Sequence, residues 1–282
     1  MRWLKSLFIS AFVTFLALAA LDAVIHLVQG GWRWTWVGAA LAAFPTAGFF
    51  AWIFLVPTAR TAANLPFVTR LVVAGLVVAS LAVYRQGGPI LEPLAQTVLV
   101  ALGWLTYVYW YSRFGERDAS RLKVGSQLPA FEVEDAEGRT VSSESLLGRP
   151  AVLLFYRGNW CPLCTAQIRE LKQQYRELDA LGAQVALISP QPPGHTRRLA
   201  KKMGVPFLFL VDRGNRAAAK LGIEAPAGIP FGFQVLGYAS DSVLPTVVIT
   251  DASGKILFAD LTDNYRVRPE PATFLEVLRG AA

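Results

Sequence analysis

The feature that most restricts this chain is a set of four long apolar runs in its first 112 residues, at about residues 4–28, 35–56, 66–84 and 95–112. Each approaches the ~20 residues that a helix needs to cross ~30 Å of hydrocarbon. A backbone in lipid must bond its own N–H and C=O groups, and runs of this length without strand-like alternation predict helices. Trp or Tyr stands near several of their ends, as in interfacial belts. The rest of the chain, residues 113–282, carries mixed charges like an ordinary soluble domain. The whole-chain figures, 54 % apolar and 17 % charged, therefore average two unlike halves, where soluble domains alone run at about 25 % charged. We expect a helical transmembrane domain over residues 1–113 and an α/β domain over 124–282, with the boundary near Lys123.

With four spans, Arg2, Lys5, Arg60, Arg70, Arg113, Arg117, Arg121 and Lys123 fall on one side and only Arg33 and Arg85 on the other. The positive-inside rule makes the first side cytoplasmic. The expectation is a multi-pass protein of the inner (cytoplasmic) membrane, in contact with membrane lipids, its α/β domain in the cytoplasm. The short third run, bracketed by Arg70 and Arg85, is the hinge of that reading, since its loss would put the domain outside. The first run also has signal-peptide features, Arg2 and Lys5 before an apolar stretch with the small residues Ala17 to Ala20. Its apolar pattern continues to Val28 and further spans follow, which favours a retained helix. Membrane orientation also explains the net charge of +7. A nucleic-acid surface would need a Lys/Arg stripe interleaved with aromatics, which is absent. Asp22 and His26 share a face of the first helix, and ionisable groups in a span suggest a proton path. The stronger reading places them near the outer end, reaching interfacial water. Pro45 reads as a tolerated kink.

Beyond Lys123 the chain alternates strand and helix signals. Phe131 to Val133 and the apolar run Ala151 to Tyr156 read as strands, the second fully buried. Residues 162–181 carry Ile168, Leu171, Tyr175, Leu178 and Leu181 at helical spacing. Further strands are expected at Val185 to Ser189 and Pro206 to Val211, with helices near 195–203 and 215–221. A hairpin of Thr246 to Thr250 and Lys255 to Ala259 turns at Asp251 to Gly254, before a helix from about Pro271 to Arg279. This order predicts a central sheet flanked by helices.

The chain has two cysteines, Cys161 and Cys164, directly between the buried strand and the amphipathic helix. Two exclude a disulfide scaffold, and no Cys/His cluster supplies the ligands of a zinc site. A thiol at the first helical turn meets free N–H groups and the positive end of the helix dipole, which favours its thiolate. Cys161 is thus expected to attack and Cys164, one turn on, to resolve. Pro162 suits the first turn, where its missing N–H costs nothing. Arg157 is a candidate to stabilise a thiolate or peroxide oxygen by a charge-assisted bond, or else pairs with a domain carboxylate. The same two readings hold for Arg266 and Arg268. Trp160 is expected to cover the disulfide, and His195, in a Pro-Pro-Gly-His stretch, to be solvated.

The stretch Phe155-Tyr-Arg-Gly-Asn-Trp-Cys-Pro-Leu-Cys164, with Gly125 to Phe131 (GSQLPAF) upstream, resembles the peroxiredoxin-like branch of the alkyl hydroperoxide reductase/thiol-specific antioxidant family. The resemblance covers about residues 124–280 and implies a thioredoxin-like fold. Leu244-Pro245-Thr246 resembles the cis-proline loop of that fold, which makes Pro245 a support residue beside the disulfide. Asp260 to Pro271, with Asn264-Tyr265-Arg266 and Arg268, resembles the segment that closes the domain. The chain departs from true peroxiredoxins where those carry a Pro seven residues and a Thr or Ser three residues before the peroxidatic Cys: here stand Leu154 and Gly158. Cysteines are absent from the spans, unlike the four-helix vitamin K epoxide reductase type.

The leading expectation is a thiol oxidoreductase that reduces hydroperoxides and is itself reduced by an external thiol, thioredoxin- or glutathione-like. A thiol-disulfide reductase acting on a protein disulfide is the alternative, and a redox sensor without turnover the third. None requires a cofactor or a metal. Residues 222–243 form an apolar, Gly/Pro-interrupted insertion that reads as a substrate entrance or a flap on the bilayer, though core packing explains its apolar residues equally well.

Overall fold

In the computed structural model, which describes residues 2–30, 33–86 and 91–281, the four apolar runs are helices. They are α1 (Arg2–Gln29), α2 (Trp34–Leu55), α3 (Pro66–Gln86) and α4 (Leu91–Thr106), the last continued by a π turn at Tyr107–Tyr111. All four are long and apolar enough to cross a membrane. The chain separates into two units, Leu7–Val56 with Thr61–Arg113, and Phe114–Ala282 with the short segments Pro57–Arg60 and the chain start through Ser6.

In the helical unit, small residues let α2 and α3 touch backbone to backbone. A Cβ on Gly38 would stand 2.7 Å from the Gly75 carbonyl oxygen, and one on Gly75 2.6 Å from that of Gly38. Small residues at such a crossing let the two backbones approach closely and gain van der Waals contact. Aromatic rings fill the space alongside, with Phe49 against Trp104 at 5.4 Å and Phe50 against Tyr107 at 4.9 Å between centroids. Pro45 lies within α2. Asp22 and His26 are neighbours, Oδ1 to Nδ1 3.2 Å, and the imidazole stacks on Trp36 at 4.0 Å.

The second unit contains β1 (Glu132–Glu134), β2 (Thr140–Ser142), β3 (Ala151–Phe155), α5 (Pro162–Gln173), α6 (Tyr175–Ala180), β4 (Gln184–Ser189) and α7 (Pro193–Met203). It continues with β5 (Leu208–Val211), α8 (Arg216–Lys220), β6 (Glu224–Ala225), β7 (Ser242–Val243), β8 (Thr246–Thr250), β9 (Ile256–Ala259) and α9 (Pro271–Arg279). One sheet runs β2-β1-β5-β4-β3-β8-β9. β3, β4 and β5 are parallel, while β8 and β9 return antiparallel. The βαβ unit β3-α5-β4 joined edge to edge with the ββα unit β8-β9-α9 is the thioredoxin-like core, and the mixed sheet matches the fold expected. β3 is buried along its whole length, as its unbroken apolar run requires of a central strand. Leu153, Phe155, Ile188, Leu210 and Val248 meet in the core on one face of this sheet.

Two expectations need correction. The helix expected over 162–181 is broken at Gln174, whose φ and ψ of −90° and 6° leave the helical region. Tyr175 then turns its ring onto Phe207, centroids 5.9 Å apart, and this packing against the β5 side redirects the chain into α6. The cis peptide is absent too. Among the described residues no peptide bond is cis, so Leu244–Pro245 is trans. Pro245 instead leads straight into β8, whose first residue, Thr246, is paired with Phe155, and a trans extended bond continues that ladder without a turn.

Candidate redox active site

The site begins where β3 ends. Leaving the sheet, the chain passes Tyr156 and Arg157 and turns at Gly158, whose φ of +137° only glycine adopts without strain. A Cβ there would also stand 2.9 Å from the indole of Trp160, which folds back so that its Nε1 donates to the Arg157 carbonyl at 3.1 Å. This gives the departure at position 158 a physical cause: a threonine would occupy the space of the Trp160 ring. Buried Gln191 fixes the loop from behind. Its Oε1 accepts from the Asn159 amide at 2.8 Å, and its Nε2 donates to the Tyr156 hydroxyl at 2.9 Å. Burial raises the pKa of that phenol above its ordinary value, so it stays a neutral member of the network.

Cys161 is the N-cap of α5, and Pro162 its first residue. The Cys161 sulfur accepts from the Cys164 amide at 3.3 Å, so it takes up one of the free donors at the helix start. Cys161 and Cys164 are paired, with Cα atoms 5.3 Å apart, inside the usual disulfide range. Both are buried, at 2 % and 0 % exposure.

The charge facing them comes from far along the chain. Arg268 Nη2 lies 3.4 Å from the Cys164 sulfur and 3.9 Å from that of Cys161. Its Nη1 donates to Gln167 Oε1 on α5 at 2.9 Å, and its Nε to the Tyr265 carbonyl at 2.9 Å. Arg157 sits beside this group without holding a sulfur. It donates to the Gly228 carbonyl at 2.6 Å, and its guanidinium lies over the rings of Trp160 at 4.4 Å and Tyr265 at 5.5 Å. Arg157, Arg266 and Arg268 are all buried. Among the described residues no carboxylate forms an ion pair with Arg157 or Arg268. Burial first, and then the charge of Arg157, pull the Arg268 pKa down to about 9. It remains cationic at neutral pH, so the disulfide faces a buried positive charge. Such a place favours an anion on the sulfur or on an oxygen beside it.

The other residues expected at the site are held as follows. Trp160 covers the loop and meets the Phe233 ring at 5.6 Å. Pro245 is buried, and its carbonyl accepts from Arg117 Nη1 at 3.3 Å while Arg117 Nη2 reaches Thr246 Oγ1 at 2.5 Å. Arg117 therefore belongs to the fold of the domain and is more than a charge that follows α4; burial pulls its pKa down to about 10 against the pull of Asp260. His195 is engaged, contrary to the expectation of a solvated ring. Its Nε2 lies 3.1 Å from the Leu236 carbonyl, its Nδ1 2.9 Å from Arg198 Nη2, and it stacks on Tyr238 at 4.6 Å. Among the described residues no group of three or more His, Cys, Asp or Glu is placed to hold a metal.

Sequence reasoning weighed Arg268 only in passing. The hint available was its place in a closing segment with Tyr265 and Arg266, but nothing in local spacing aims a residue 104 positions away at Cys164.

Comparison with known proteins adds to this geometry. A profile described as the AhpC/TSA family matches residues 124–259. A chloroplastic peroxiredoxin Q from Populus jackii is 32 % identical over 106 residues, 38 % of this chain and 50 % of that protein. A putative peroxiredoxin bcp from Haemophilus influenzae is 26 % identical over 158 residues, 56 % of this chain and 97 % of that one. The chain thus spans about half the length of the chloroplastic relatives it matches. Among solved structures, the peroxidoxin BcpB of Mycobacterium tuberculosis aligns with a TM-score of 0.47 at 22 % identity, over 57 % of this chain and 98 % of its own.

Proposed function

We propose, from the match of residues 124–259 to the AhpC/TSA family profile and from the geometry of the site, that this chain is a membrane-anchored thiol peroxidase whose redox-active pair is Cys161 and Cys164. One observation carries the proposal: the buried guanidinium of Arg268 lies 3.4 and 3.9 Å from the two sulfurs at the start of α5. In the reduced enzyme the Cys161 thiolate attacks one oxygen of a hydroperoxide, and the O–O bond breaks. The other oxygen takes a proton and leaves as the alcohol, which leaves Cys161 as a sulfenic acid. The Cys164 thiol then attacks that sulfur, the S–O bond breaks, and the hydroxyl leaves with the thiol proton as water. An external dithiol of the thioredoxin kind, oxidised to its own disulfide, or two monothiols of the glutathione kind, joined as theirs, supply two electrons and two protons to restore both thiols. Arg268 stabilises the thiolate before attack and the oxygen expelled during it. In this reading the four apolar helices anchor the chain, and the balance of Lys and Arg supports a cytoplasmic domain.

A second order of events has one distance in its favour, since Arg268 stands nearer to Cys164 than to Cys161. Trapping with dimedone after one equivalent of peroxide separates the two. An adduct on Cys161 in the Cys164→Ser protein is the expected result. An adduct confined to Cys164 in the Cys161→Ser protein would reverse the roles. No adduct in either variant would overturn the peroxidase reading and leave disulfide exchange with a protein partner.

A further inference from the structure

We infer that residues 229–237 form a flap that inserts into the membrane interface and admits hydroperoxides of membrane lipids to the cysteine pair. The inference rests on the membrane-anchored peroxidase reading above and names its substrate class.

Between Glu224 and Asp241 the chain carries no charged residue. Within that stretch a single 3₁₀ turn, Phe233–Leu236, is closed at each end by a glycine in the left-handed region, Gly232 and Gly237. The turn holds apolar side chains away from the domain. Phe231 is 64 % exposed, Val235 87 % and Leu236 56 %. A soluble surface has no use for three such neighbours at one tip, whereas a bilayer surface rewards them.

What sets the level of the tip is its attachment to the start of the chain. The Ser6 hydroxyl donates to the Ile229 carbonyl at 2.6 Å, and the Phe231 amide donates to the Ser6 carbonyl at 3.1 Å. Ser6 is where the charges of Arg2 and Lys5 give way to the uninterrupted apolar run. In a spanning helix that transition lies at the boundary between headgroups and hydrocarbon. The flap backbone is bonded to that boundary, so its exposed apolar side chains reach lipid. At its other end the flap is held by His195, through the Leu236 carbonyl, and by the stack of His195 on Tyr238.

The same segment touches the redox centre. Phe233 meets Trp160, the neighbour of Cys161, and the Gly228 carbonyl holds Arg157. A hydroperoxide on an acyl chain that rises to the interface thus meets the side of the loop that carries Cys161.

The test uses the full chain in vesicles of phosphatidylcholine and phosphatidylglycerol. In the Cys161→Ser/Cys164→Ser background, Val235→Cys and, as a control, the exposed Glu137→Cys carry an environment-sensitive fluorophore. Lipids brominated near the headgroup end of their chains should quench the label at 235 at least threefold more than the label at 137. Equal and weak quenching at both would overturn the insertion, and this readout needs no turnover, so it stands apart from failure of the peroxidase reading. In the wild-type background, Val235→Asp should lower turnover of phosphatidylcholine hydroperoxide in the bilayer about tenfold and leave turnover of hydrogen peroxide within twofold. Unchanged turnover of both, or an equal loss of both, would overturn the substrate assignment.

Discussion

Arg268 is a buried cation with no ion-paired carboxylate among the described residues, an arrangement that costs the fold and therefore calls for a function. Its pKa in the fold, about 9, lies below the ordinary arginine value. Above about pH 9 the unfolded chain holds the extra proton, so stability should rise with pH there, while at neutral pH the fold bears the full cost. Arg268→Met removes that cost but leaves Gln167 Oε1 without its donor, a loss of about 1–3 kcal/mol. The opposing terms should leave unfolding in urea within about 2 kcal/mol of wild type, while peroxide turnover falls ~100-fold or more, as for loss of a charge-stabilising donor in a dry site. A large loss of stability with little loss of turnover would make Arg268 a structural residue. Gly158 offers the converse case. A Gly158→Thr protein, which restores the residue type of true peroxiredoxins, should be destabilised by about 2–3 kcal/mol through its positive φ alone, with the Trp160 ring displaced. A gain in peroxidase rate without loss of melting temperature would contradict that account.

The segment between α4 and β1 is tied to the domain through single side chains. Arg117 bonds the carbonyls of Pro245, Asp260 and Thr262 and the hydroxyl of Thr246, and Arg121 bonds those of Ala219 and Lys220. Arg117→Ala leaves several half-buried carbonyls unpaired, and we expect a loss of about 2–3 kcal/mol, read as a lower melting temperature, with hydrogen-exchange protection lost first at the start of β8. The elements themselves were legible where periodicity is local: β3 as an unbroken apolar run, α9 from Pro271 to Arg279, and the hairpin around Asp251 to Gly254. The break at Gln174 was not, because it depends on Tyr175 finding Phe207, and β2, three residues long and only half buried, carries too short a pattern to read. The trans bond at Pro245 was misread for a related reason. A proline before an apolar strand signals a special backbone, but only its partners, here Arg117 and the β3 ladder, select the isomer.

For the whole molecule, the cysteine pair and its helix were plain in the sequence, because strand, Cys-x-x-Cys and amphipathic helix follow one another without interruption from Ala151 to Gln173. The arginine that serves them was hidden, since it arrives by a sheet crossing and a closing segment, and so was the engagement of His195 with the flap. Sidedness follows from the count of spans. In the Cys161→Ser/Cys164→Ser protein, a cysteine at position 137 should react with an impermeant maleimide only after cells are opened, and reaction in intact cells would place the domain outside. The most direct test of the central claim is consumption of hydrogen peroxide and of a lipid hydroperoxide by the purified protein under excess dithiothreitol, in wild type, Cys161→Ser and Cys164→Ser. The account predicts sustained turnover in wild type, abolished in Cys161→Ser and reduced in Cys164→Ser. A wild-type protein with a readily reducible Cys161–Cys164 disulfide but no peroxide turnover would contradict it.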